Sequence, residues 1–307
     1  MKNLYLINFK LSGFKSFGLG IFLLPSSAFL GGIFLVLSVF LADRKNCKKY
    51  FEDTWNYPFF LSGILMFLGC IKAYSSSLAW IGLANWLPFF WAFWAFQPYL
   101  TTNSQRKQCA LLFVAGTIPV LVTGFGQLWF DWEGPWQIFR GLIIWYVDKD
   151  GEPDGRLSGL FNYANIAGAW LAFVWPFGLA ALLQPKIKGF QRVIVFLIVT
   201  SIVSALVLTD SRNAWGALIL AIPFVLGPIT WPWLIPFLFI SFLPVAFAVL
   251  PWFGFELQSW ARSIVPEAIW ARLSDFGYVS NRNIASTRLN QWRFALDFIS
   301  QRPWLGW

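Results

Sequence analysis

Apolar runs of bilayer-crossing length recur along the whole chain, separated by short clusters of charged and turn-forming residues. A transmembrane helix needs about 20 largely apolar residues. The runs at 10–24, 27–42, 57–73, 78–100, 109–128, 160–183, 190–208, 212–229 and 232–252 therefore predict nine spans. The first two form a tight pair broken at Pro25-Ser26-Ser27, with a single kinked helix over 17–42 as the alternative. Basic residues flank both ends of this pair: Lys2, Lys10 and Lys15 before it, and Arg44, Lys45, Lys48 and Lys49 after it. An even number of crossings returns both flanks to the cytoplasm, where lysine and arginine accumulate. The predicted fold class is all-α, a polytopic helical membrane protein. Residues 1–252 form its membrane domain, and 253–307 begin a long loop on the far side of the membrane.

Between the spans, 129–159 holds the turn-forming, acidic run Asp148-Lys149-Asp150-Gly151-Glu152-Pro153-Asp154-Gly155. The apolar stretch before it, Leu142 to Val147, is too short to span and predicts a segment at the interface or one that re-enters. The final segment predicts two amphipathic helices. Pro266 suits a first helical turn, with Ile269, Leu273 and Phe276 following at helical spacing. Leu289, Trp292, Leu296 and Ile299 then form a second stripe. The chain stops at Arg302-Pro303-Trp304-Leu305-Gly306-Trp307, in mid-loop and without a closing span, so we expect it to be part of a longer reading frame.

Composition agrees with the pattern. Hydrophobic residues make up 58% and charged residues 12%, with 20 Trp and 34 Phe and a mean hydropathy of +0.60, whereas a soluble domain is about one quarter charged. No small-residue cleavage site follows the first apolar run, so no cleavable signal peptide is predicted. Cys47, Cys70 and Cys109 sit at no motif spacing. With no histidine present, histidine-based metal sites and histidine acid–base catalysis are excluded from these residues. No metal or other cofactor is expected.

The net charge of +9 reads as topology plus surface chemistry, with no nucleic-acid partner. Arg106, Lys107, Lys186, Lys188 and Arg192 fall on the cytoplasmic side of the predicted spans. Arg140, Arg156, Arg212, Arg262, Arg272, Arg282, Arg288, Arg293 and Arg302 fall on the far side. The positive-inside rule accounts for the first group but not the second. Arginine is a planar fork that grips phosphate bidentately, unlike the point charge of lysine, so the far-side excess points to function.

Three motifs at that boundary carry it: Arg156-Leu157-Ser158-Gly159-Leu160-Phe161-Asn162-Tyr163-Ala164-Asn165; Leu208-Thr209-Asp210-Ser211-Arg212-Asn213-Ala214-Trp215; and Arg288, Trp292, Ala295-Leu296, Ile299, Pro303 and Gly306. Together, in this order, they resemble the O-antigen ligase and polymerase superfamily of bacterial membrane glycosyltransferases. The resemblance implies metal-independent glycosyl transfer on the periplasmic face of the inner membrane, and it implies that the loop begun by 253–307 is periplasmic. The donor it implies is a glycan on a polyprenyl diphosphate, and the acceptor is lipid A-core, another glycan or a protein. It implies about twelve spans in a full-length member and a periplasmic histidine as general base, which would lie beyond Trp307. Without that base, the chain as given is expected to be inactive alone. Arg156, Arg212 and Arg288 match the family's motif arginines and are the expected catalytic residues. Asn162, Asn165, Ser211 and Trp292 are the expected substrate-binding residues.

Physical chemistry supports the arginines. A leaving diphosphate gathers negative charge as the sugar C1–O bond breaks, and preorganised cations stabilise that charge. A charge in a turn between two apolar helices is costly unless it faces water, a partner or a ligand. The structural alternatives are a snorkelling or Asp210-paired Arg212, and helix capping or interhelical bonding by Asn162 and Asn165. Asp210 is a chemically possible substitute base. Arg262, Arg272, Arg282, Arg293 and Arg302 read as generic surface charges. Trp80, Trp129, Trp132, Trp231 and Trp252 read as interface anchors. The rival function is a transporter, possibly for inorganic carbon. Transporters place ionisable residues deep in their spans and often show paired broken helices, which this pattern lacks.

Overall fold

The computed structural model describes residues 2–44, 48–75, 77–185, 187–274 and 288–303. It is 75% helical with almost no sheet. In chain order the helices are α1 (Lys2–Leu23), α2 (Ala28–Phe40), α3 (Tyr57–Lys72), α4 (Ser77–Ala95), α5 (Asn103–Gly116), α6 (Ile118–Trp129), α7 (Ala164–Leu182), α8 (Gly189–Leu208), α9 (Arg212–Leu226), α10 (Trp231–Val249), α11 (Phe255–Ile264), α12 (Glu267–Ser274) and α13 (Arg288–Gln301).

Among the described residues, six segments are long and apolar enough to cross a membrane: Thr54–Lys72, Ser77–Ala95, Asn103–Trp129, Ala164–Leu182, Gly189–Leu208 and Pro228–Val249. The other three expected spans are apolar helices of shorter length, Gly13–Leu23, Ala28–Phe40 and Arg212–Leu226. The last stops at Leu226 because Gly227 turns to φ 86 and Pro228 follows, a combination that ends a helix. The expected span 109–128 is two helices. Pro119 has no N–H for the ladder, and Thr117 sits between α5 and α6.

The chain divides into two compact units. One comprises Met1–Phe14, Ser38–Arg106 and Tyr278–Trp307; the other comprises Lys15–Leu37 and Lys107–Gly277. In the first, α3 and α4 pack through aromatic pairs such as Phe59–Phe93 at 5.1 Å and Phe67–Trp80 at 5.4 Å. The Arg44 guanidinium lies 3.8 Å from the Trp94 ring and donates to the Ala95 carbonyl at 3.0 Å. Asp53 accepts from Gln97 Nε2 at 2.9 Å, which holds its carboxyl below the usual carboxylate range.

In the second unit, α5 to α9 share one core built on Leu121, Leu157, Leu171, Val174, Ile202 and Leu206. Trp170 Nε1 donates to Thr117 Oγ1 at 2.9 Å, and Trp175 Nε1 donates to the Leu218 carbonyl at 3.0 Å. These bonds cross-tie α7 to the α5–α6 break and to α9. A smaller cluster of Ala248, Ala261, Val265 and Trp270 seats α11 and α12 against the end of α10. There the Arg262 guanidinium lies 4.3 Å from the Trp270 ring.

Within Leu142 to Val147 the backbone is largely extended. Ile143–Trp145 is the second strand (β2) of an antiparallel hairpin whose first strand (β1) is Trp136–Ile138, with Trp136 opposite Trp145. Alternate side chains satisfy both faces, since Ile143 is buried and Ile144 exposed, and the ladder satisfies backbone groups that a short apolar helix would leave open. The two amphipathic helices expected near the end are α12 and α13. The sequence reading missed α11. Phe276, Arg282 and Gly306 lie outside the described residues.

Candidate functional site: the arginine turn between α8 and α9

Helix α8 ends by tucking Thr209 back on itself, with its backbone N–H donating to the Ala205 carbonyl and its hydroxyl to Leu206 O at 2.7 Å. Asp210 then takes φ 50, the left-handed region that Asp tolerates better than most residues. Ser211 is extended and buried, and α9 starts at Arg212. The tightness of this turn depends on Gly168 of α7. A Cβ there would come within 3.1 Å of both Ala214 and Ser211, and 3.0 Å from Thr209 Oγ1.

The segment before α7 is sewn onto the same end of the bundle. Leu157 N–H donates to the Leu208 carbonyl at 2.9 Å. Arg156, only 9% exposed, donates from Nε to the Thr209 carbonyl at 2.8 Å and from Nη2 to Asn165 Oδ1 at 2.7 Å. Beside it, fully buried Gln127 of α6 donates from Nε2 to the Asp148 carbonyl at 2.6 Å and to Ser158 Oγ at 3.0 Å. Its Oε1 accepts from Ser158 N at 3.2 Å and Gly159 N at 2.8 Å. One amide thus organises the backbone of the first motif.

Asp210 is the hub. Arg272 of α12 meets its carboxylate, Nε to Oδ2, at 2.7 Å, and donates to its carbonyl from Nε at 3.1 Å and Nη2 at 3.0 Å. Burial pushes the Asp210 carboxyl above the usual carboxylate range, and the charges of Arg272, Arg156 and Arg212 pull it back. Of these, Arg272 makes the direct contact, and Arg156 bonds the carbonyl of the neighbouring Thr209. Arg212 stands at the first turn of α9, where the helix dipole already favours anions. The acidic side chains of Asp148, Asp150, Glu152 and Asp154 in the preceding loop are exposed to solvent or nearly so. Arg156, Arg212 and Arg272 thus all influence Asp210 at this turn, and guanidinium groups are suited to binding phosphate.

Four of the expected site residues, Arg156, Asn165, Ser211 and Arg212, meet at this turn. Asn162 is exposed on the bend before α7. Arg288 is the first residue of α13 and Trp292, 64% exposed, follows one turn later in the other unit. Asp210 pairs with Arg272, which the sequence pattern reads as a generic surface charge. Its only sequence signal is its place in the last turn of an amphipathic helix, too common to single it out. Gln127 was also missed. A polar amide inside an apolar run was the available signal, since such a group needs partners.

Arg272→Ala removes one partner of a half-buried pair and is expected to cost about 1–3 kcal/mol, read as a lowered thermal-unfolding midpoint in detergent. Arg272→Lys should recover only part of the loss, because a lysine cannot hold carbonyl and carboxylate together. An unchanged midpoint for the alanine variant would show that the clamp is not structural.

No curated protein and no solved structure matches the chain. Residues 196–307, which include Asp210, Arg212 and Arg272, match the family model described as O-antigen ligase. This part of the chain is therefore O-antigen ligase-like, in agreement with the resemblance carried by the motifs.

Proposed function

We propose that the protein transfers a glycan from a polyprenyl-diphosphate carrier to a hydroxyl of lipid A-core or another glycan acceptor, on the periplasmic face of the bacterial inner membrane. In this reading residues 1–252 form the membrane domain and 253–307 begin the periplasmic segment. The observation that carries it is the α8–α9 turn, where Arg272 pairs with Asp210 at 2.7 Å, Arg156 bonds the Thr209 carbonyl at 2.8 Å and Arg212 opens α9, within and beside the stretch that matches the O-antigen ligase family.

The bond from the sugar C1 to the diphosphate oxygen breaks, the acceptor oxygen bonds to C1, and the acceptor proton passes to a general base. The electron pair of the broken bond stays on the diphosphate. Arginine donors held in place before the reaction stabilise that charge without reorganising. Asp210 is tied to Arg272 at 2.7 Å, so we assign it to holding the turn and place the base elsewhere. Arg156, with two of its donors bonded to the protein, orients the turn as much as it binds. Arg212 is the principal phosphate ligand, and Arg288 is a catalytic arginine by its place in the third motif.

Membranes carrying the protein, given a polyprenyl-diphosphate-linked glycan and acceptor lipid, are expected to form the larger glycolipid, seen as a mass shift. Arg288→Ala should slow this by about 10²-fold, the usual effect of removing one donor to a developing charge. Wild-type rates in that variant would remove Arg288 from the reaction. Absence of transfer by the unaltered protein from any such donor would overturn the reading.

A further inference from the structure

We propose that α11 lies along the bilayer surface at the C-terminal end of α10, with an apolar stripe inserted among the lipids of that leaflet. The helix has three sides of different character. Gln258, Ala261 and Arg262 face the protein: Ala261 is buried, and Arg262 Nε and Gln258 Nε2 donate to the Ala248 carbonyl of α10 at 3.0 and 3.5 Å. Glu256, Ser259 and Ser263 form an exposed polar side. Leu257, Trp260 and Ile264 form an exposed apolar side, with Trp260 51% and Ile264 56% exposed. At 3.6 residues per turn the three sides point roughly 110–140° apart.

A helix between protein and water needs two sides, one apolar and buried, one polar and open. A third side, apolar and open, needs a third medium, and its position says which. Helix α10 is long and apolar enough to cross a membrane, and the stripe continues its surface. The Phe253 ring, at the head of the stripe, stands edge-on to Phe247 of α10 with centroids 4.8 Å apart. Phe253, Leu257 and Trp260 then line one open hollow of about 560 Å³.

Tryptophan favours the membrane–water boundary, and a helix lying there buries its apolar side about 5–10 Å into the headgroup and acyl region. The single basic residue of α11, Arg262, is turned to the protein, so the attraction is apolar and does not depend on anionic headgroups. Ala261, on the protein side, packs in one cluster with Trp270 of α12. The bilayer contact therefore helps to seat the helix that carries Arg272.

The test places the fluorescent amino acid dansylalanine at the Trp260 position or, separately, at the Ser263 position of the full chain in phosphatidylcholine nanodiscs. At the Trp260 position emission should be blue-shifted relative to the Ser263 position. Lipids with a nitroxide near the headgroup end of the acyl chain should remove about half of it or more, as expected at that depth. Aqueous iodide should quench the Ser263 position and spare the Trp260 position. The Leu257 position serves if the first variant does not fold. Equal iodide quenching at both positions overturns the proposal, because the stripe then faces water. Shielding of the Trp260 position from both quenchers also overturns it, since protein then covers the stripe. Added phosphatidylglycerol should change nothing; lipid quenching that arises only with this anionic lipid overturns the stripe as the cause of contact.

Discussion

Arg212→Ala is expected to lower the rate of glycan transfer by about 10²–10³-fold with little change in unfolding temperature. The side chain is half-buried at the start of α9, outside the shared core, so its loss should cost little packing. In the proposed reaction its charge is what acts. As the C1–O bond lengthens, charge accumulates on the leaving diphosphate, and a donor whose bond strengthens only then lowers the barrier rather than the ground state. Arg212→Lys should retain part of the rate, since it restores the charge but not the fork. Initial rates with each variant, beside unfolding midpoints, separate this from a folding defect. An alanine variant within about threefold of wild type would take Arg212 out of the transition state.

Gln127→Leu should have the largest effect on stability. The substitution nearly preserves volume but removes every polar atom from a fully buried side chain. It leaves the Asp148 carbonyl and the Ser158 and Gly159 N–H groups without the partner that Gln127 supplies. Each such buried group costs about 1–3 kcal/mol, so a loss of about 3 kcal/mol or more is expected. That is a large share of the roughly 5–15 kcal/mol of a typical protein. The variant should unfold at markedly lower temperature in detergent and lose transfer with it, because the first motif is no longer held against the α8–α9 turn. A midpoint close to wild type would mean that the loop is held without Gln127.

What the sequence made legible follows from periodicity and length. Apolar runs locate helices because a bilayer forces the backbone to satisfy itself, so all nine expected positions carry helix. It did not show where helices break, because Pro119 and Gly227 read as tolerable residues until their neighbours are known. Strand β2 is not legible because a short apolar run does not specify its secondary structure by periodicity alone, and its partner, Trp136–Ile138, is itself only three residues long. The motif arginines could be found from spacing and chemistry. Arg272 could not, because its role lies in reaching a residue 62 positions away, and the surface pattern of α12 carries no trace of that contact.

The same contact has a mechanical consequence. One guanidinium on α12 holds both the carbonyl and the carboxylate of a residue in the left-handed region, so the turn cannot rotate independently of the helix that clamps it. Lifting α12 away would release the peptide plane that precedes Ser211 and, with it, the direction in which α9 presents Arg212. Arg156 and Leu157 hold the turn from the segment before α7, so α12 closes the second side of a latch in which Asp210 is the catch.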